Sequence, residues 1–197
     1  MDVTYPPERT FTTRSGQAMR LRPIRPEDVP NLFAFHERLS RESLRMRYFT
    51  PRRNLSEEAA RRLCTVDFRD RAAFVASPLE SDAIHGIGRY ERDAPHSAEV
   101  AFIVEDSLQG NGIGPALLQR LAEHARTQGI ERFTAAVLYE NTPMLTVFRN
   151  SPFRPQVSVE HDCAFVKLDL TVLPDPAARP AARGLAAAQL RALQAPA

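Results

Sequence analysis

The spacing of hydrophobic residues predicts helices in the first third of the chain. Residues 26–39 place side chains at helical spacing, and shorter helices are expected at residues 40–49 and from Ser56 onward. Ser56 is a good N-cap residue because its hydroxyl can accept a hydrogen bond from the first turn. The stripe expected on the first helix consists of Val29, Leu32, Phe33 and His36.

The middle of the chain changes to strand-like patterns. Residues 71–77, 84–90 and 98–104 are short runs rich in strand-forming residues, separated by turn residues. They predict an antiparallel meander. A glycine-rich loop follows, and residues 115–128 then place leucines and alanines on one face of an amphipathic helix.

The last part of the folded chain alternates between strand-like and helix-like hydrophobic patterns. Residues 133–138, 156–160 and 163–170 predict strands, and residues 142–150 predict a short helix with Asn141 as its N-cap. Helices, meander and mixed elements in this order predict one α/β (α+β) domain. We expect a mixed, mostly antiparallel central sheet flanked by helices.

Three segments are expected. Residues 1–17 form an N-terminal segment with the first strand of a hairpin, and residues 18–172 form the folded domain. Residues 173–197 are rich in alanine, proline and arginine, which predicts a disordered tail.

Composition narrows the classes of function. The net charge of +2 gives no reason to expect a nucleic-acid-binding protein, and no apolar run approaches the roughly 20 residues that span a bilayer. Cys64 and Cys163 have neither metal-ligand spacing nor the pattern of a disulfide framework, so no metal is expected and a reducing, cytoplasmic setting is the default. Both cysteines are interpreted as core residues.

The glycine-rich loop is the strongest candidate for a ligand site. Gly110, Gly112 and Gly114 lie just before the long helix, where backbone amides and the helix dipole favour a phosphate or pyrophosphate. A nucleotide P-loop would need a lysine and a hydroxyl residue after the last glycine, but Pro115 stands there. A dinucleotide fingerprint would need a small residue at Leu117.

Four motifs in order resemble one family. Gln109-x-x-Gly112-x-Gly114 looks like the acetyl-CoA pyrophosphate loop of the GNAT superfamily, and residues 21–28 resemble a common opening of these enzymes. Residues 39–49 look like a helix of the bacterial Pat-type protein lysine acetyltransferases, and residues 140–144 resemble their "EN-x-PM" turn. The resemblance covers residues 20–170.

The resemblance implies acetyl-CoA as the acyl donor, and it implies how the chain would hold it. The strand before the loop would pair its backbone with the pantetheine arm, and Asn141 would contact the arm from the other side as well as capping its helix. The residues implied in binding are Phe102, Ile103, Val104, Gln109, Gly110, Asn111, Gly112, Ile113, Gly114, Pro115 and Asn141.

Glu99 is the candidate general base. It stands in an otherwise apolar strand, an awkward position for a charge unless chemistry uses it or the strand end faces solvent. The Pat-type resemblance implies the role of base. Many GNAT enzymes carry a tyrosine seven residues after the asparagine, and Phe148 stands there, so the group that protonates the leaving thiolate stays open, with Tyr139 a distant substitute.

The sequence says least about which amine accepts the acetyl group. The resemblance implies a lysine on a protein such as an acyl-CoA synthetase, and arginines of the early helices could contact acidic surface around it. A small-molecule amine acetyltransferase and a non-catalytic acetyl-CoA sensor remain alternatives, and monomer and homodimer are both open. The arginines in question are Arg41, Arg45, Arg47, Arg52 and Arg53.

Overall fold

An eight-stranded sheet forms the centre of the molecule in the computed structural model, which describes residues 4–50 and 55–172. The strands lie in the order β1-β2-β3-β4-β5-β6-β8-β7, and every neighbouring pair is antiparallel except β5 and β6. The predicted mixed, mostly antiparallel sheet is therefore confirmed. The strands are β1 (Arg9–Thr12), β2 (Ala18–Pro23), β3 (Arg71–Pro78), β4 (Gly86–Ala94), β5 (Ser97–Val104), β6 (Arg132–Leu138), β7 (Gln156–Glu160) and β8 (Cys163–Asp169).

Helices cover both faces of this sheet. The long helix α4 packs against β3 and β4 on one face, whereas α1 and α3 pack together on the other, and α2 lies beside β5 and β6. The helices are α1 (Val29–Glu37), α2 (Arg41–Tyr48), α3 (Glu57–Cys64), α4 (Ile113–Thr127) and α5 (Thr142–Arg149). None of those in the described ranges is long and apolar enough to cross a membrane.

The first helix differs from its prediction in two ways. A short 3-10 turn, Pro26–Asp28, precedes α1, and the helix ends at Glu37 rather than near residue 39. Its buried side chains are Leu32 and Phe35, whereas Phe33 is only partly buried. The 3-10 turn changes the rotation of the helix relative to a continuous helix from residue 26, so the core-facing stripe shifts.

Two glycines inside β4 let side chains from α4 and β5 pack close to the β4 backbone. A Cβ at Gly86 would lie 2.9 Å from Ile113 Cγ2, and a Cβ at Gly88 would lie 2.9 Å from the Phe102 ring. Both glycines thus serve a close approach of neighbouring side chains to the β4 backbone. The register shift of β4 falls further along, between Arg92 and Ala94.

The N-terminal segment and the C-terminal tail were both predicted as parts separate from the folded domain. The boundary expected after residue 17 falls inside the β1–β2 hairpin, whose two strands pair as the first ladder of the sheet. The hairpin therefore belongs to the same sheet as the rest of the domain. The tail at residues 173–197 lies outside the described residues.

Candidate active site

The parallel strands β5 and β6 separate after a short shared ladder. They pair only at Ser97, Ala98 and Glu99, and the last pair is Glu99 with Thr134. Beyond this point β5 continues for five residues along β4, without pairing to β6. A cleft that exposes one edge of β5 therefore opens at Glu99.

The hydrogen-bond pattern of β5 decides which backbone groups face the cleft. Glu105 N–H donates to His85 O at 2.9 Å, and residues in an antiparallel ladder alternate between bonded and non-bonded pairs. This places the backbone groups of Ile103 in the β4 ladder and directs those of Phe102 and Val104 toward the cleft. The backbone groups of Phe102 and Val104 are therefore available to a cofactor arm, those of Ile103 are occupied by β4, and the predicted contacts of all three residues with the arm stay predictions.

The glycine-rich loop lies at the wide end of the cleft and has the backbone its glycines predict. Gly110 and Gly112 have φ values of 77° and 90°, in the left-handed region that favours glycine. Gly112 is the N-cap of α4, so the helix begins at Ile113, two residues before the predicted start. Because the first turn of a helix leaves N–H groups unpaired, this loop and helix start form an anion-binding geometry.

An arginine from the N-terminal hairpin holds this loop. Arg14 donates from its side chain to Gly110 O and from its backbone to Asn111 O, both at 3.0 Å. The two contacts place a cation beside the loop. Nothing in the local sequence marks Arg14 as a loop-binding residue, because its side-chain partner Gly110 lies 96 residues away.

The side chain of Gln109 is engaged within the protein. Its Nε2 donates to Ser43 Oγ at 3.1 Å and to Val104 O at 3.2 Å. Gln109 thus joins helix α2, strand β5 and the glycine loop. The structure brings it to the loop, as predicted, and gives it a structural role there.

Asp106 ties helix α2 to the same loop. Its carboxylate accepts hydrogen bonds from Ser40 N at 3.0 Å, Ser40 Oγ at 2.6 Å and Ser43 Oγ at 2.8 Å. Burial alone would raise the pKa of Asp106, but these hydrogen bonds outweigh it and hold the pKa below its usual range. Glu105, the preceding acid, binds Arg38 at 3.0 Å and His85 at 2.8 Å.

Asn141 caps α5, as predicted. Its Oδ1 accepts from Met144 N at 3.1 Å. The preceding Glu140 accepts from Arg45 of α2 at 2.5 Å, which connects helix α2 to this turn. The cap fully explains the local role of Asn141, and its predicted contact with the cofactor arm stays a prediction.

Glu99 is exposed at the point where the cleft opens. It shares a face of β5 with Ala101 and Ile103, because alternate side chains of a strand point to the same side. Those two residues line a pocket between the sheet and the first three helices. The walls of this pocket are mostly apolar, and its polar side chains are His36, Arg47, Tyr48 and Arg89.

Arg47 was expected to belong to a docking surface, and the structure places it in this pocket instead. Arg45, from the same expected surface, is engaged by Glu42 at 2.7 Å and by Glu140. Arg41 is exposed, as a docking residue would be. Arg52 and Arg53 lie outside the described residues.

Other candidate groups occupy the core or the periphery. Phe148 is buried with its ring 6.0 Å from that of Phe102, so it packs in the core and offers no proton. Tyr139 is 54% exposed. Burial raises the pKa of Cys64 to about 11, which keeps its thiol protonated, as expected for a core cysteine. His161 lies in the β7–β8 turn with φ 55°.

No metal site accompanies these groups in the described part of the chain. No cluster of three or more histidine, cysteine or acidic side chains lies close enough together there to hold a metal ion. The site thus offers a cleft along β5, an anion-binding loop, one exposed carboxylate and an apolar pocket. These features suit a long, phosphate-bearing ligand whose reactive end reaches Glu99.

Comparison with known proteins decides the family. Residues 18–154 match the family described as "Acetyltransferase (GNAT) domain". The chain belongs to the GNAT acetyltransferase family. Acetyltransferases of this family use acetyl-CoA.

Individual relatives place the chain near the Pat acetyltransferases. It is 34% identical to acetyltransferase Pat of Mycolicibacterium smegmatis over 136 residues, which is 66% of this chain and 40% of that protein. The crystal structure of the GNAT domain of S. lividans PAT superposes with a TM-score of 0.77 at 34% identity, covering 84% of this chain and 99% of that one. Acetyltransferase PA5475 of Pseudomonas aeruginosa is 28% identical over 120 residues, 59% of this chain and 64% of that protein. The chain thus spans less than two thirds of the length of both curated relatives.

Proposed function

We propose that this protein transfers the acetyl group of acetyl-CoA to lysine side chains of other proteins by direct attack. The observation that carries the proposal is the cleft between β5 and β6, which has the anion-binding loop at one end and the exposed carboxylate of Glu99 at the other. The similarity to the Pat acetyltransferases supports a protein acceptor, such as an acyl-CoA synthetase.

In this proposal the glycine loop and the start of α4 hold the pyrophosphate. The left-handed conformations of Gly110 and Gly112 turn the loop, and the first N–H groups of α4 point outward from it. Asn111, Ile113 and the first-turn Pro115 complete this segment.

The pantetheine arm then lies along the open edge of β5. The outward backbone groups of Phe102 and Val104 are available to it, although Val104 O already accepts from Gln109. Asn141 would contact the arm from the α5 side. The Phe102 N–H is the candidate donor to the oxyanion that develops on the thioester carbonyl, because a fixed backbone donor needs no reorganisation during the reaction.

Glu99 acts as the general base. A lysine ammonium has a pKa of about 10.4 and must lose a proton before its nitrogen can attack. The carboxylate of Glu99 accepts that proton directly or through a water molecule, and its exposure lets the proton pass on to solvent. The amine nitrogen bonds to the thioester carbonyl carbon, the carbon–sulfur bond breaks, and CoA leaves as a thiolate that requires no acid from position 148.

The test is transfer of labelled acetyl from acetyl-CoA to a cell extract divided into protein and small-molecule fractions. We expect label on protein lysines, located by mass spectrometry, and none with Glu99→Gln. Label confined to the small-molecule fraction would overturn the protein acceptor while leaving acetyl transfer standing. Absence of transfer to either fraction, with acetyl-CoA still bound, would support a sensor instead.

A further inference from the structure

Two arginines face the same apolar pocket next to Glu99. Arg47 enters it from α2 and Arg89 from β4, and most of the other lining side chains are apolar. Both arginines are partly buried. A pocket with this lining holds two positive charges where a hydrophobic pocket would hold none.

Neither guanidinium has a carboxylate partner within 4 Å among residues 4–50 and 55–172. Arg89 donates to Leu63 O at 2.8 Å, and Arg47 lies 5.0 Å from the centre of the Tyr48 ring. Some partly buried arginines of this chain do have such partners, for example Arg92 with Asp70 at 2.8 Å, whereas Arg71 and Arg126 bind backbone oxygens instead. Arg47 and Arg89 differ from all of these because they share one pocket, where buried charge is normally paired.

The electrostatics of the pocket favour an anion. Burial lowers the pKa of Arg89 to about 10, and the positive charge of Arg47 adds to that effect. Burial also lowers the pKa of Arg47, against a smaller opposing effect of Tyr48 and Glu99. Both arginines remain charged at neutral pH, and each destabilises the other.

The nearby groups do not cancel these charges. His36, the other basic group of the lining, has its pKa lowered by burial, so it is neutral at pH 7. Two exposed acids act on the arginines from a distance, Glu99 on Arg47 and Glu91 on Arg89, and neither forms an ion pair with them. Arg71 adds a further positive charge near Arg89, so the two guanidiniums have no anionic partner in direct contact among the described residues.

We propose that Arg47 and Arg89 form a carboxylate-binding subsite, and that one reaction partner carries a carboxylate a few ångströms from the bond being formed. This inference rests on the proposed function for the site and narrows its substrates. The carboxylate has two possible sources of the same chemistry. It can belong to the acyl chain of the donor, as in succinyl-CoA, or to an acidic residue beside the acceptor lysine.

The position of the arginines relative to Glu99 agrees with this arrangement. Arg89 lies opposite Ala101 in the β4–β5 register, and Ala101 is two residues along β5 from Glu99. Two residues of a strand span about 7 Å. The backbone positions that carry the base and Arg89 are therefore neighbours in the sheet, which is compatible with either source.

The experiment compares donors and acceptors that differ only in the carboxylate. In the donor arm, calorimetry measures the Kd of acetyl-CoA and of succinyl-CoA. In the acceptor arm, mass spectrometry measures kcat/KM with acetyl-CoA for lysine peptides flanked by glutamate or by glutamine. We expect a preference of about tenfold or more for the carboxylate in one arm, the scale of a hydrogen bond to a charged group.

Variants connect that preference to the two arginines. Arg47→Gln and Arg89→Gln should remove most of it, and Arg89→Lys should restore part of it because the charge returns. Arg62→Gln is the matched control, since Arg62 is an exposed arginine of α3 that does not line the pocket and should leave the preference unchanged. Circular dichroism of each variant checks that it folds.

The outcomes distinguish a failure of the carboxylate-binding subsite from a failure of the proposed acetyl transfer. No preference in either arm, or a preference that survives in Arg47→Gln and Arg89→Gln, would overturn the subsite. A protein that binds acetyl-CoA and transfers acetyl without any preference keeps the proposed function. If no acceptor peptide is acylated, the proposed function fails, and the calorimetric arm still reports whether the arginines bind a carboxylate on the donor.

Discussion

Replacing Asp28 tests the buried ion pair at the base of the pocket wall. Arg22 of β2 binds both carboxylate oxygens of Asp28 at 2.7 Å, and Arg25 N adds a third contact at 2.8 Å. The two residues are 1% and 4% exposed. Asp28 immediately precedes α1, so this pair links α1, which lines the pocket, to strand β2 of the sheet.

The expected loss is large because Asp28→Ala leaves the guanidinium of Arg22 buried without its strongest partner. Breaking such a pair costs about 3–5 kcal/mol in the free energy of unfolding. Since 1 kcal/mol corresponds to about 2–4 °C for a domain of this size, the Tm should fall by roughly 6–20 °C. Asp82 approaches Arg22 Nε at 3.4 Å but is itself 65% exposed, so it offsets little.

Urea unfolding followed by far-UV circular dichroism measures this loss, since the chain contains no tryptophan. Glu27→Ala is the control, because Glu27 is an exposed acid in the same 3-10 turn and should change stability by less than about 0.5 kcal/mol. A cost for Asp28→Ala no larger than that of the control would refute the reasoning.

The stability that the Asp28 carboxylate contributes should decrease as the pH falls. Burial would raise the pKa of Asp28, but the hydrogen bonds from Arg22 and Arg25 outweigh it and hold the pKa below its usual value. A depressed folded-state pKa stabilises the protein above the unfolded value, about 3.9, and this contribution is lost as pH falls through the folded value. The advantage of the wild type over Asp28→Asn should therefore shrink only below about pH 4.

Three further outcomes follow from the site. Gly112→Ala should cost about 1–2 kcal/mol through its φ of 90° and should weaken acetyl-CoA binding in calorimetry, whereas Gly16→Ala, at φ 88° in open space, should lose stability alone. Asp106→Asn should weaken the attachment of α2 to the loop by about 1–3 kcal/mol in urea unfolding, and an unchanged midpoint would show that its three hydrogen bonds add nothing. Cys64 should resist maleimide at pH 8 in the folded protein because burial raises its pKa to about 11, and rapid labelling would contradict that burial.

Local chemistry made much of the fold predictable. The N-caps Ser56 and Asn141 bind the N–H three residues later, at 3.2 and 3.1 Å, and such bonds depend only on neighbours in sequence. The strand β7 coincides with its prediction because alternation and flanking turns mark it. The glycine loop was also predictable from neighbouring residues alone, since Gly110 and Gly112 supply the positive φ values that the turn needs.

The parts that escaped prediction depend on contacts between distant segments. Arg14 reaches Gly110 across 96 residues, and the ladder that turns Ile103 toward β4 is set by strand pairing. Arg47 and Arg89 meet in one pocket only because α2 packs over β5, next to β4 in the sheet. Sequence spacing assigns each arginine to an element, but it does not say which element packs on which face.

The central claim is that Glu99 is the base in an acetyl transfer from acetyl-CoA, and Glu99→Gln tests it most directly. Glu91→Gln is the matched control, because Glu91 is an exposed acid paired with Glu99 across the β4–β5 ladder. We expect the Kd of acetyl-CoA to stay unchanged in both variants. We expect kcat to fall about a hundredfold or more in Glu99→Gln alone. An unchanged kcat in Glu99→Gln, or an equal fall in Glu91→Gln, would contradict the account.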